Sequence, residues 1–263
     1  SGIIFRGGSV LRCSRSPRFL ETEGRALAAG HLRRLGIGGL VVLGGEGSFR
    51  GIEVFHKETG IPTVGVPATI DNDVPGSSYC LGVDTALNVI RNSIDEIRDT
   101  ASSFRRAFVI ETMGRKCGYL ALVSAIISGA EVCIVPEIPH DLDRLKVRLQ
   151  REFDEGRCYA IAVVSEAVDG ASATLLEWFK RDLSIDCRLT VLGHTQRGGS
   201  PTVRDRLMAA EFIAHALTGL ENGLDSLAVV LAGGSVHTLP IAALPMSAEI
   251  EPELLQLAER LCR

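Results

Sequence analysis

The chain has 263 residues, 46% of them hydrophobic and 23% charged, enough apolar material for one large domain or two smaller ones and too much for a disordered chain. Its 28 Lys and Arg against 32 Asp and Glu leave a net charge of −4, which gives no electrostatic ground for a nucleic-acid or membrane partner, so any anion site must be built locally. No apolar run approaches the roughly 20 residues that span a bilayer, the opening SGIIFRGGSV lacks a signal-peptide layout, and seven scattered cysteines without a CxxC pair suggest neither a disulfide framework nor a zinc site. A soluble protein of the reducing cytoplasm is expected.

In chain order, the first eight residues read as a strand end running into a Gly7-Gly8 turn, which implies further chain upstream. Short β-branched runs follow: GGLVVL (38–43), IPTVGV (61–66), AFVIET (107–112), VCIVP (132–136), YAIAVV (159–164), LTVLG (189–193) and SLAVVL (226–231). Between them, Val83, Leu87, Ile90, Ile94 and Ile97 recur at helical spacing, and Leu142, Leu145, Val147, Leu149 and Phe153 do so less cleanly. Strands alternating with helices indicate an α/β fold with parallel or mostly parallel sheets flanked by helices. The polar turns near 74–82 and 194–201 are the natural boundaries, giving two lobes with a substrate cleft between them.

Three groups of residues carry chemistry. LGGEGS (43–48) stands between the GGLVVL strand and a helical stretch beginning near Ser48, where glycines let backbone N–H groups approach a phosphate. No GK[ST] follows and Arg50 replaces the last glycine of a GxGxxG fingerprint, so the motif alone is equally a bare strand-to-helix turn. PATIDND (67–73) also follows a strand, at the carboxyl edge where open α/β sheets bind ligands; Asp71 and Asp73 can serve a hydroxyl and a cation, or the segment can be an Asx-turn. Arg106, Arg115, Arg188 and Arg197 lie at strand ends or in glycine turns, and planar guanidinium forks suit a sugar phosphate. His194, in GHTQRGG, either bonds a phosphate or caps its own loop.

GGEGS, PATIDND, RDTASSFRRAFVIETMGRKCG, the segment ending VVSE at Glu166, and RLTVLGHTQRGGSP come in the order and at the spacings of the 6-phosphofructokinase family, so the chain resembles its ATP-dependent bacterial-type members. The resemblance implies phosphorylation of fructose 6-phosphate by ATP with Mg²⁺. It makes Asp71 the base toward the sugar's 1-hydroxyl, with Thr69 and Arg115 at the moving phosphoryl group. Arg15, Ser16, Gly45, Glu46, Gly47 and Ser48 match ATP contacts, and Glu46 and Asp73 the acids tied to Mg²⁺. Ile70, Met113, Gly114, Glu166, His194 and Arg197 match sugar and 6-phosphate contacts. Arg106 and Arg188 match arginines that reach the 6-phosphate from a neighbouring subunit, implying a homo-oligomer, a tetramer in the family pattern. Arg98, Glu131 and Arg157 match part of an effector site. The implied lobes are 1–82 plus about 196–245 for ATP and 83–195 plus about 246–263 for fructose 6-phosphate.

Pyrophosphate-using members carry an acid at the position of Gly47 and a lysine at that of Ala68; both are small here, so ATP is the implied donor. Two features depart from the pattern. Glu46 replaces the usual aspartate, and the family's opening strand with its GGDxPGMN-type loop has no counterpart before Ser1. The alternatives are a pyrophosphate-dependent enzyme and a catalytically weak regulatory subunit.

Overall fold

The computed structural model describes residues 2–262. In chain order its elements are α1 (Pro17–Leu20), α2 (Thr22–Arg34), β1 (Leu40–Gly44), α3 (Glu46–Thr59), β2 (Thr63–Pro67), α4 (Val83–Phe104), β3 (Ala107–Thr112), α5 (Tyr119–Ser128), β4 (Val132–Ile134), α6 (Leu142–Asp154), β5 (Ala160–Ser165), α7 (Ala171–Asp182), β6 (Cys187–Val191), α8 (Val203–Glu221), β7 (Leu227–Ala232), β8 (Ser235–Pro240) and α9 (Pro252–Leu261). The fold is α/β, with mostly parallel sheets flanked by helices. No described helix is long and apolar enough to cross a membrane.

The chain forms two compact units. The first contains residues up to Thr69, with Asp73–Gly82 and Ser200–Glu249. Its sheet runs β1-β2-β7-β8, parallel except for the β7–β8 hairpin. β2 is buried along its whole length, as expected for a strand covered on both faces. Gly65 leaves room for Phe49 of α3, whose ring atoms would lie 2.8–3.0 Å from an added Cβ. Ala29, Phe55 and Ile61 form a smaller buried cluster, against which Phe19, Leu32 and Leu40 pack. The hairpin turns on Gly233 and Gly234, both at positive φ (57° and 77°), the conformation that a two-residue turn between twisted strands requires.

The second unit contains Ile70–Asn72, Val83–Gly199 and the chain from Ile250 on. Its sheet is wholly parallel, in the order β4-β5-β3-β6. One buried cluster joins Ala107, Val109, Val132, Ile134, Ala160, Ala162 and Val164 of the strands to Leu145 and Leu149 of α6 and to Leu175, Trp178 and Phe179 of α7. α4 buries Val83, Ala86, Leu87, Ile90 and Ile94, the stripe its 3.6-residue period foretells. Asp141 caps α6, its carboxylate accepting from the N–H groups of Asp143 and Arg144 at 3.0 Å.

Two local expectations are corrected, and one strand is added. Residues 2–5 form a turn closed by Arg6 N–H to the Ile3 carbonyl (3.0 Å), with Ile3, Ile4 and Phe5 exposed; they pair with no described strand, so the backbone satisfies itself locally. The run expected as a strand over 189–193 begins two residues earlier, because Ala107 pairs with Cys187, and ends before Gly193, whose φ of 52° opens a 3₁₀ turn. β8, unread in the sequence, completes the hairpin.

Candidate active site

β1 and β2 are parallel neighbours with Gly44 opposite Pro67, so GGEGS and PATIDND leave the same edge of one sheet side by side. α3 starts at Glu46, two residues before the expected Ser48, with Gly45 as N-cap. The N–H groups of Ser48 and Phe49 return to the Gly45 carbonyl (2.9 and 3.2 Å), while those of Glu46 and Gly47 fall in the first turn, where a helix supplies no acceptor.

The glycines of this turn have different causes. A Cβ on Gly44 would lie 2.3 Å from Ser48 Oγ, so packing alone demands glycine there. A Cβ on Gly45 would come 3.4 Å from Thr69 Cβ and 3.6 Å from Asp73 Oδ1, which places both residues against the start of α3. A Cβ on Gly47 would meet nothing within 4 Å. Protein packing therefore gives no reason for glycine at 47, and open space over the first turn of a 14-residue helix is where a phosphate would sit. Glu46 forms an ion pair with Arg50 one turn along α3. Arg15 and Ser16 are exposed, just ahead of α1.

That helix is clipped in place by Arg25. Its guanidinium donates to the carbonyls of Phe19 (2.9 Å) and Leu20 (2.7 Å) and forks onto Glu58 of α3 with two bonds of 2.6 Å. The bond from Arg25 holds the Glu58 carboxyl below its ordinary range, and the same bond raises the guanidinium.

In the second unit the end of β3 is a tight turn held by one carboxylate. After Thr112 the backbone enters Met113, Gly114 (φ 149°) and Arg115 (φ 60°), and the N–H groups of Gly114 and Arg115 both donate to Glu166 Oε1 (3.2 and 2.8 Å). A Cβ on Gly114 would sit 2.2 Å from the Cys117 carbonyl oxygen, so only glycine makes this turn. Glu166 Oε2 accepts no bond among the described residues. Gln196, which the sequence reading passed over, is 1% exposed; it accepts from Met113 N–H (3.1 Å) and donates to the Gly193 carbonyl (3.0 Å). It thereby ties the 3₁₀ turn carrying exposed His194 and Arg197 to the Met113 turn. Its position inside GHTQRGG was the only available signal.

Asp71 is half-buried in the Ile70–Asn72 stretch assigned to the second unit, whereas Thr69 and Asp73 belong to the first. Asn72 takes a left-handed φ of 54°, a conformation asparagine tolerates.

Arg106 and Arg188 lie elsewhere. Arg106 precedes β3 and Arg188 is the second residue of β6, so both stand at the amino edge of this parallel sheet, with Met113–Arg115, Glu166 and His194 beyond its carboxyl edge. Six extended residues separate the edges by roughly 20 Å. Both guanidinium groups pair with Asp186, Arg106 Nε to Oδ2 and Arg188 Nη1 to Oδ1, each at 2.8 Å.

The expected effector residues fall into two neighbouring groups. Arg157 pairs with Glu131 and, at 2.9 Å, with Glu152, while Glu131 Oε2 accepts from Ile161 N–H at 2.7 Å. Arg98 donates to the Ser128 carbonyl and reaches the Tyr159 hydroxyl at 3.5 Å. Arg157 and Tyr159 line one open groove together with Ser102, Glu152 and Cys158. Among the described residues no cluster of three or more His, Cys, Asp or Glu side chains is arranged to hold a metal. Burial pushes the Cys187 thiol up to about 12, which makes it an inert core residue.

A family model described as phosphofructokinase matches residues 1–220. The chain belongs to the phosphofructokinase family. A phosphofructokinase relative from Sulfurimonas denitrificans, named ATP-dependent 6-phosphofructokinase, is 49% identical over 261 residues, covering 99% of this chain and 82% of that protein. One of the same name from Sulfurovum sp. is 55% identical over 227 residues, covering 86% and 69%. Among solved structures, phosphofructokinase from Saccharomyces cerevisiae superposes with a TM-score of 0.84 at 31% identity, matching 98% of this chain. The chain spans 38% of the length of that yeast protein.

Proposed function

We propose that the chain transfers the γ-phosphoryl group of ATP to the 1-hydroxyl of fructose 6-phosphate. The observation that carries this reading is Gly47, a glycine in the first turn of α3 for which packing gives no cause. It fits the donor named in relatives 49–55% identical to the chain. ATP is assigned to the unit holding GGEGS, with Arg15, Ser16, Gly45, Gly47 and Ser48 as its contacts. The sugar phosphate is assigned to the unit holding Met113, Gly114, Arg115, Glu166, His194 and Arg197, with Ile70 beside the reacting hydroxyl.

Asp71 takes the proton of the sugar hydroxyl, and Thr69 and Arg115 steady the phosphoryl group in flight. Phosphoryl transfer asks mainly for such positioning and charge neutralisation. Mg²⁺, which offsets the charge of the donor phosphates, suits a site with few protein carboxylates because it retains water and phosphate ligands. Glu46 and Asp73 would hold it, and Glu46 would then exchange its Arg50 partner for the ion. That ion pair also favours a second reading, a weakly active regulatory member of the family.

Arg106 and Arg188 are assigned to the 6-phosphate held by a second copy of the chain, in a homo-oligomer of the cytoplasm; their place at the sheet edge opposite the sugar turn supports that assignment. Arg98, Glu131 and Arg157 are assigned to an effector site.

The test is a coupled assay with ATP and with pyrophosphate. Gly47→Asp fills the open space with a carboxylate facing phosphate oxygens, so ATP use falls by at least a hundredfold while pyrophosphate, lacking nucleoside and α-phosphate, is affected less; such a loss corresponds to about 3 kcal/mol. Preference of the unmodified chain for pyrophosphate would refute the ATP reading. Absence of turnover with either donor would favour the regulatory one.

A further inference from the structure

Pairing of β3 with β6 sets Ala107 opposite Cys187, so the residues just before them, Arg106 and Asp186, lie side by side. The backbone is fixed there by Ala107 N–H donating to the Asp186 carbonyl at 2.9 Å. Arg188 stands one pair further along, opposite Phe108. The Asp186 carboxylate then gives one oxygen to each arginine, at 2.8 Å in both cases. Arg106 is steadied from below by the Phe104 ring, 5.1 Å from its Cζ. Two guanidinium groups, each reaching one carboxylate oxygen through a single nitrogen, make an anion clamp, and the anion in it belongs to the chain itself.

The clamp is half open to solvent, with side chains 32%, 42% and 52% exposed for Arg106, Asp186 and Arg188. Ion pairs this exposed are weak, so the carboxylate is displaceable. Arg106 is engaged through Nε, and its two terminal nitrogens bond nothing else among the described residues.

We propose that Asp186 is a specificity-determining residue of the sugar-phosphate site, an internal competitor that occupies the Arg106–Arg188 clamp until a phosphate monoester displaces it. The inference rests on the reading of these two arginines as 6-phosphate contacts. A phosphate monoester carries close to two negative charges at neutral pH, against one on the carboxylate, so it wins the exchange where an unphosphorylated sugar cannot. Asp186 therefore sets a threshold: it weakens every anion at the clamp and weakens singly charged ones most.

The test uses the full chain and Asp186→Asn, which keeps the shape and one acceptor and removes the charge. Half-saturating fructose 6-phosphate should fall about threefold to tenfold, with inorganic phosphate competing at correspondingly lower concentration. Asp186→Ala should shift both in the same direction. A rise, or no change, in half-saturation for both variants overturns the proposal, and so does a lower melting temperature with unchanged half-saturation, which would make Asp186 a purely structural residue. Arg106→Ala and Arg188→Ala, assayed alongside, separate the two readings. If they raise half-saturation while the Asp186 variants do not lower it, the competitor role alone falls; if they leave it unchanged, the phosphate assignment falls and takes the competitor role with it.

Discussion

Asp71 is the side chain on which turnover depends most directly in the proposed reaction. Asp71→Ser should lower kcat by about 10²–10⁴, the usual contribution of a general base, and leave fructose 6-phosphate binding by calorimetry near the unmodified value. Turnover within a few-fold of the unmodified chain would remove Asp71 from the chemistry. Residues of this kind draw notice in the sequence through their own type and place, an acid or arginine at a strand end or beside glycines, and the family resemblance supplied the roles proposed for them. Gln196 and Asp186 were not. Gln196 matters because its amide is buried between two turns 83 residues apart in sequence, and Asp186 because strand register sets it next to Arg106. Which residues of two strands distant in sequence come to lie side by side is decided when the sheet packs. The glycines were legible only as a group; Gly44 answers to Ser48 and Gly47 to nothing in the protein, a distinction that only coordinates make.

At the scale of elements, β2, β3 and β5 announced themselves as apolar runs because they are buried nearly throughout, and α4 through its buried stripe. α5 carries apolar residues nearly all round and no period to read. β8 alternates exposure over SVHTLP, a half-buried outer strand whose only sharp signal was the Gly233-Gly234 turn before it. The α1–α2 corner, also unread, has a testable weak point. A Cβ on Gly24 would fall 1.8 Å from the Arg18 carbonyl oxygen, so Gly24→Ala must push α1 off α2. Overpacking of this kind costs about 1–3 kcal/mol. A lower melting temperature is expected, with raised half-saturating ATP, because Arg15 and Ser16 lead directly into α1. Half-saturating fructose 6-phosphate should stay as it was. If ATP half-saturation is unmoved while stability drops, the Arg15–Ser16 segment is not an ATP contact.

For the whole molecule, composition and the order of five motifs were enough to imply the family, but not how the chain distributes its ends. β3 is the element in which that matters. Arg106 enters it and Met113–Arg115 leave it, so in the proposed oligomer a single strand serves two different reaction centres. Damage at its two ends is then not equivalent, and the two injuries can cure each other. Arg106→Ala and Arg115→Ala chains, each feeble at low fructose 6-phosphate, should recover when mixed in equal amounts, separated and reassociated. A hybrid pair joins the sound Arg115 turn of one chain to the sound Arg106 of the other and rebuilds one of its two centres. With half of the pairs hybrid, roughly a quarter of the unmodified activity should return. Every intact centre in such a mixture would be borrowed from two defective chains.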